Sequence, residues 1–255
     1  MNEMPIIHPP RVKITAPDLL YFPFDPYRKI IGQKLEEIAI AKYDLRFTTV
    51  YALEKWMVMY QGIGAPVAGM GLECLIHSGV KRVLLLGVCG SFKPDDEIGQ
   101  AILITQAIRS EGTSLHYFPH QDKFRPSSPW KKMLAEFLES NNLPYSLGTI
   151  VSTDAPHRET PSWIKTMQNK GINYVDMETS AVMAISHFYQ LEAAALHLVS
   201  DIVTSQKWIP GFKSPILEEK IKQYFFPFLE RNFPGHEKKD GEKTKINSRG
   251  DSHET

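Results

Sequence analysis

The sequence predicts one α/β domain, built as three layers, α/β/α, around a central mixed sheet. Three observations carry that expectation. Short β-rich runs alternate with helical periodicities from Trp56 onward, the first three of them form a βαβ start, and 255 residues with 42% hydrophobic content suffice for one large core.

In chain order, W-M-V-M-Y (56–60) reads as a strand, the pattern from Pro66 to Ser78 as a helix, and R-V-L-L-L-G (82–87) as the next strand. Further strands are expected at A-I-L-I-T (101–105), S-L-G-T-I-V (146–151), I-N-Y-V-D (172–176) and A-A-A-L-H-L-V (193–199). Helices are expected near 129–140, 178–189 and 215–231. Beyond Asn232 the chain has almost no large apolar residues, so it has little burial to offset its ordering entropy. Residues 1–233 therefore read as the folded domain and 234–255 as a disordered polar tail.

The formal net charge is zero and the basic residues do not cluster in the body, which points away from nucleic acid and anionic membrane. A small uncharged or zwitterionic partner remains. Cys74 lies in a helical pattern and Cys89 in an expected loop, with no ligand spacing around either, so neither a metal site nor a disulfide framework is expected. No leader-like segment and no apolar run long enough to span a bilayer occurs, and a cytoplasmic location is the expectation.

In such folds ligands gather at the carboxyl ends of strands, and several of these runs end in polar or glycine-rich stretches: G-V-C-G-S, S-T-D-A, D-M-E-T and S-D-I-V. Q-G-I-G-A-P (61–66) also follows a strand and opens a helix, where backbone N–H groups could meet an anion. The same stretch reads equally as a tight β-to-α turn that needs glycine at Gly62 and Gly64. V-D-M-E-T-S-A (175–181) sets Asp176 and Glu178 where a strand runs into a helix, and an acid there can simply serve the helix N-terminus.

Taken in order, G-I-G-A-P, G-V-C-G, I-R-S-E-G-T-S-L-H-Y-F-P (108–119), S-T-D-A-P-H-R-E-T (152–160), V-D-M-E-T-S-A and L-V-S-D (198–201) resemble the nucleoside phosphorylase superfamily. The resemblance is in particular to its hexamer-forming branch of uridine phosphorylases and bacterial-type purine nucleoside phosphorylases, over roughly residues 5–230.

The resemblance implies a subunit that breaks the N-glycosidic bond of a nucleoside as phosphate attacks the anomeric carbon. Met177 and Glu178 would hold ribose, the methionine by packing and the carboxylate by accepting from sugar hydroxyls, while Asp176 stays structural. His8 would reach the 5′-hydroxyl in a neighbouring subunit, which makes a homo-oligomer, dimer or hexamer, the expected state. Asp201 would protonate the departing base as in the purine branch, its other reading being a Ser200–Asp201 helix cap. Arg158 and Glu159 stand where the pyrimidine branch reads its base but lack that branch's Gln-x-Arg pair, which favours purine over uridine.

Arg28, Gly62, Gly64 and Arg109 would supply the phosphate site, with phosphate as co-substrate and no organic cofactor or metal. Here the chain departs from the family pattern: Phe24 replaces a glycine, Leu85 an arginine and Val88 a hydroxyl residue. The resemblance implies phosphorolysis to free base and ribose 1-phosphate, with hydrolysis by water and nucleoside binding without turnover as the alternatives.

Overall fold

The computed structural model describes residues 6–25 and 30–230; Arg28 and the tail at 234–255 lie outside them. Eleven strands form one sheet: β1 (Asp18–Phe22), β2 (Ala41–Asp44), β3 (Thr49–Ala52), β4 (Met57–Tyr60), β5 (Arg82–Ser91), β6 (Ala101–Ser110), β7 (Lys123–Phe124), β8 (Ser146–Thr153), β9 (Tyr174–Asp176), β10 (Glu192–Val203) and β11 (Trp208–Pro210). Six helices flank it: α1 (Ile30–Ile38), α2 (Ala65–Ser78), α3 (Ser128–Ser140), α4 (Pro161–Asn169), α5 (Thr179–Phe188) and α6 (Pro215–Glu230).

Residues of the central strands alternate between two large cores, which explains the nearly continuous apolar runs, while Val151 and Val175 join a smaller third core with Ile164 and Met167 of α4. Leu19, Val83, Leu85, Ile102 and Ala195 face the core under α2 and α5, whereas Leu20, Leu84, Leu86, Leu103 and Leu196 face the core under α1, α3 and α6. A strand covered on both faces has no solvent side on which to place polar residues. The three expected layers are therefore present, and the sheet is mixed: β5 pairs in parallel with β1 and β10, while β6 runs antiparallel to β10.

One feature was not legible in the runs. β5 and β10 pair from Arg82↔Glu192 to Ser91↔Ile202, and the path β10–β6–β8–β9–β5 returns to β10, so five strands close on themselves. This closure corrects two local expectations. G-V-C-G-S is the far half of β5 rather than a loop, with Cys89 inside the strand and paired to Val199. S-D-I-V likewise continues β10, so Ser200–Asp201 caps no helix.

Candidate functional site

At the ends of β5, β9 and β10 the strands line a cavity of about 510 Å³. Of the residues singled out in the sequence, Met177, Glu178, Asp201 and Glu159 line it, together with Phe24 and Val88. His8, Gly62, Gly64, Arg109 and Arg158 do not. His8 is exposed in its own chain, and its expected role concerns a neighbouring subunit.

The acid pair at the end of β9 divides its labour. Asp176 is buried and accepts from the backbone N–H of Thr179 at 2.8 Å, from the Thr179 hydroxyl, and from Ser152 Oγ at 2.6 Å. It is the carboxylate that serves the N-terminus of α5. Glu178, directly before α5, makes no side-chain cap bond. Its Oε1 accepts the N–H of Gly64 at 2.5 Å, across the gap between α5 and the start of α2. Burial, then the neighbouring Asp176 charge, push its carboxyl up to about 8, against backbone hydrogen bonds from Gly64 and Met177 that lower it.

The Gly64 contact revises the anion reading of G-I-G-A-P. The N–H expected to meet phosphate holds the chain's own Glu178. Glycine is still required, because Gly62 and Gly64 have φ of +112° and +97°. The Tyr21 hydroxyl fixes the turn by donating to the Gly62 carbonyl at 2.6 Å.

The other motifs build a brace around α5. Glu111 accepts from Ser180 Oγ at 2.9 Å and from the Ser114 N–H at 2.9 Å, and the Gly112 N–H donates to Asp154 Oδ2 at 2.8 Å. Ser152 Oγ, which donates to Asp176, also accepts the Ser180 N–H at 2.8 Å. E-G-T-S, S-T-D-A and D-M-E-T-S-A thus lock one another, and the product is a fixed Met177–Glu178 corner. Buried His197 joins this brace through Thr179 Oγ1, and burial lowers its proton affinity. Sequence reasoning missed Thr179 and His197, although the threonine one position after Glu178 is a helix-start signal.

Asp201 reaches the cavity through a bulge. The register of β10 against β5 shifts between Val199 and Asp201, leaving Ser200 as the extra residue and Asp201 opposite Gly90. Its Oδ1 accepts from Ser200 Oγ at 2.7 Å and its Oδ2 from the indole N–H of Trp208 at 2.8 Å. Trp208 was not picked out in the sequence; it reaches Asp201 only because β11 folds back on β10. Glu159 lines the same cavity, and burial, then the Asp201 charge, push its carboxyl up to about 7.

The remaining wall is apolar. Phe24 packs edge-on to Phe212 at 6.0 Å, and Val88 and Ile63 add hydrocarbon surface. Leu85 is fully buried in the core. Arg109 is committed elsewhere, its Nη1 donating to the Phe118 carbonyl at 2.6 Å. Among the described residues, four carboxyls (Glu159, Asp176, Glu178, Asp201) and no lysine or arginine line the cavity. No helix among these residues is long and apolar enough to cross a membrane.

Comparison with known proteins places this architecture. The model of the phosphorylase superfamily matches residues 23–222. The guanosine phosphorylase of Halorubrum lacusprofundi is 31% identical over 164 residues, which is 63% of this chain and 67% of that protein. The DeoD-type purine nucleoside phosphorylase of Geobacillus kaustophilus is 27% identical over 212 residues, 80% of this chain and 89% of that one. Among solved structures, purine nucleoside phosphorylase from Toxoplasma gondii in complex with immucillin-H aligns with a TM-score of 0.69 at 18% identity, covering 82% of this chain and 87% of its own. AMP nucleosidase from Bacteroides thetaiotaomicron aligns with a TM-score of 0.65 at 22% identity, covering 81% and 84%. These two share the fold, and the family match spans well over half the sequence. The chain belongs to the phosphorylase superfamily.

Proposed function

We propose that this protein cleaves the N-glycosidic bond of a purine nucleoside and that water takes up the sugar. The chain is an enzyme of the nucleoside phosphorylase and nucleosidase type. The purine preference draws support from the names of its relatives and from Asp201, a carboxyl that lines the cavity. The choice of nucleophile rests on one observation: the described cavity wall carries four carboxyls and no lysine or arginine. Such a wall offers an inorganic phosphate dianion no cation to pair with, whereas its ionised carboxylates stabilise the cationic, oxocarbenium-like sugar formed as the base departs.

In this scheme Met177 packs on the ribose and Glu178 accepts from its hydroxyls. The bond from the anomeric carbon to the base breaks with its electron pair leaving on the base, and Asp201 gives a proton to a base nitrogen. Water oxygen bonds to the anomeric carbon, and the water proton passes to a carboxylate of the wall. The products are free base and ribose.

A second reading keeps phosphorolysis, with Arg28 and a residue of a neighbouring subunit completing an anion site in a homo-oligomer. The names of the relatives, phosphorylases at up to 31% identity, favour it. Incubating the protein with a panel of purine and pyrimidine nucleosides and quantifying free base tests the shared core of both readings. Purine nucleosides should release base, and a panel without any release, alongside measurable nucleoside binding, would replace both with a binding protein.

A further inference from the structure

Both oxygens of Asp201 accept hydrogen bonds from within the chain, from Ser200 Oγ and from the Trp208 indole N–H. Two donors favour the ionised carboxylate, whereas proton transfer to a departing base needs the acid form. Release of one donor as the base arrives would favour the acid form.

Ser200 is poorly suited to do so. It is 1% exposed, its hydroxyl also lies 3.2 Å from the Cys89 carbonyl, and its own carbonyl accepts the Gly211 N–H at 2.8 Å. Trp208 has the opposite setting. It is 60% exposed, it opens the three-residue strand β11, whose residues are all exposed, and it follows a turn in which Thr204 Oγ1 accepts from the N–H groups of Gln206 and Lys207. Its backbone is fixed opposite Val203, so only the indole has to move. Val203 and Asp201, two residues apart on one strand, share a face, and a large aromatic side chain reaches such a diagonal neighbour.

Resting on the cleavage reading above, we propose that Trp208 is a positioning residue for Asp201. Its indole N–H holds the carboxylate aimed at rest, then swings off Oδ2 as the base arrives, and that oxygen takes up a proton from solvent water and passes it to the base nitrogen. The titratable groups facing Asp201 are Cys89 from β5, Asp176 and Glu178 at the end of β9, and Glu159 together with His157 near the turn at 156–158.

Trp208→Phe keeps the ring and removes the N–H. The Asp201 carboxyl, followed by ¹³C NMR and assigned with Asp201→Asn, should titrate about one to two pH units higher in the variant. The limb of the kcat/KM profile that reports protonated Asp201 should move the same way, with a lower KM because the base no longer displaces a hydrogen bond. Adding free purine base should change the indole emission of the wild type, and this change should be absent from Trp208→Phe. Nucleoside cleavage with an unmoved Asp201 titration overturns the positioning role and leaves the cleavage reading intact. A raised titration in a protein that cleaves no nucleoside supports the hold on Asp201 and sinks the cleavage reading instead. Unchanged indole emission at saturating base overturns the withdrawal.

Discussion

Replacing Glu178 with glutamine isolates the electrostatic cost of the cavity. The carboxyl is 6% exposed, and burial together with Asp176 moves it from 4.5 to about 8. Between those values the folded chain keeps its proton while the unfolded chain releases it. The folded state binds more protons across the window, so this contribution to stability is full below pH 4.5 and is lost as pH rises through 8. At ~1.4 kcal/mol per unit, the interval amounts to roughly 5 kcal/mol as an upper bound. Glutamine cannot ionise, and its side-chain carbonyl can still accept the Gly64 N–H. Urea unfolding at pH 5 and pH 9 should therefore give similar stabilities at the lower pH and a more stable variant at the higher one. Activity should move in the opposite direction, because the ionised form is the one that accepts from sugar hydroxyls and stabilises a cationic sugar. Losing one charge-assisted contact of this kind should lower kcat/KM by about 10- to 100-fold. Parallel pH dependences of stability in the two proteins would refute the reasoning.

Asp201→Asn should reduce turnover of ordinary purine nucleosides by about 10² to 10⁴. It should cost far less on nucleosides whose leaving group needs no proton, and steady-state rates on both classes decide between a proton donor and a general loss of structure. Gly64→Ala meets no clash, the nearest atom to an added Cβ being Pro66 Cδ in ordinary contact at 3.8 Å, so its effect is one of backbone strain at φ +97°. A loss of about 1–2 kcal/mol in urea unfolding is expected, with a weaker hold on Glu178 seen as a higher KM. Leu85→Arg puts a charge at a fully buried core position. Thermal melts should show strong destabilisation, by about 3 kcal/mol or more, and soluble, stable protein with new phosphate-dependent activity would contradict the core assignment of Leu85.

Local runs with a clear period were legible: the strand at 57–60, the helix from Ala65 to Ser78 and the two later helices near 129–140 and 215–231 all sit close to their expected places. The short runs between prolines, such as D-L-L-Y-F before Pro23, were not recognised as strands, nor were the small strands β2, β3, β7 and β11. Polar and glycine residues at Gly87–Ser91 and Ser200–Val203 resemble turns to any local pattern, yet both segments are strand because each finds partners far away in sequence. That closure is a long-range event, and no window of the chain records it.

The site was legible in the same uneven way. Met177, Glu178, Asp201 and Glu159 converge on one cavity, each carried by a motif that is compact in sequence. The division between Asp176 and Glu178 depended on which carboxylate met the N–H of Thr179 and which met Gly64, a question that only the packing of α2 against α5 answers. The anion site was the least legible part. Glycines and an arginine in suitable order were present, but Gly64 holds Glu178 and Arg109 holds the Phe118 carbonyl. Trp208 escaped because nothing in the stretch from Asp201 to Trp208 marks its indole as a partner until β11 turns back.

The most direct measurement is the identity of the sugar product from purine nucleoside cleavage run with and without inorganic phosphate. A cavity wall with four carboxyls and no lysine or arginine among the described residues predicts free ribose at a rate that phosphate does not raise. Ribose 1-phosphate as the sole sugar product, formed only when phosphate is present, would contradict the account.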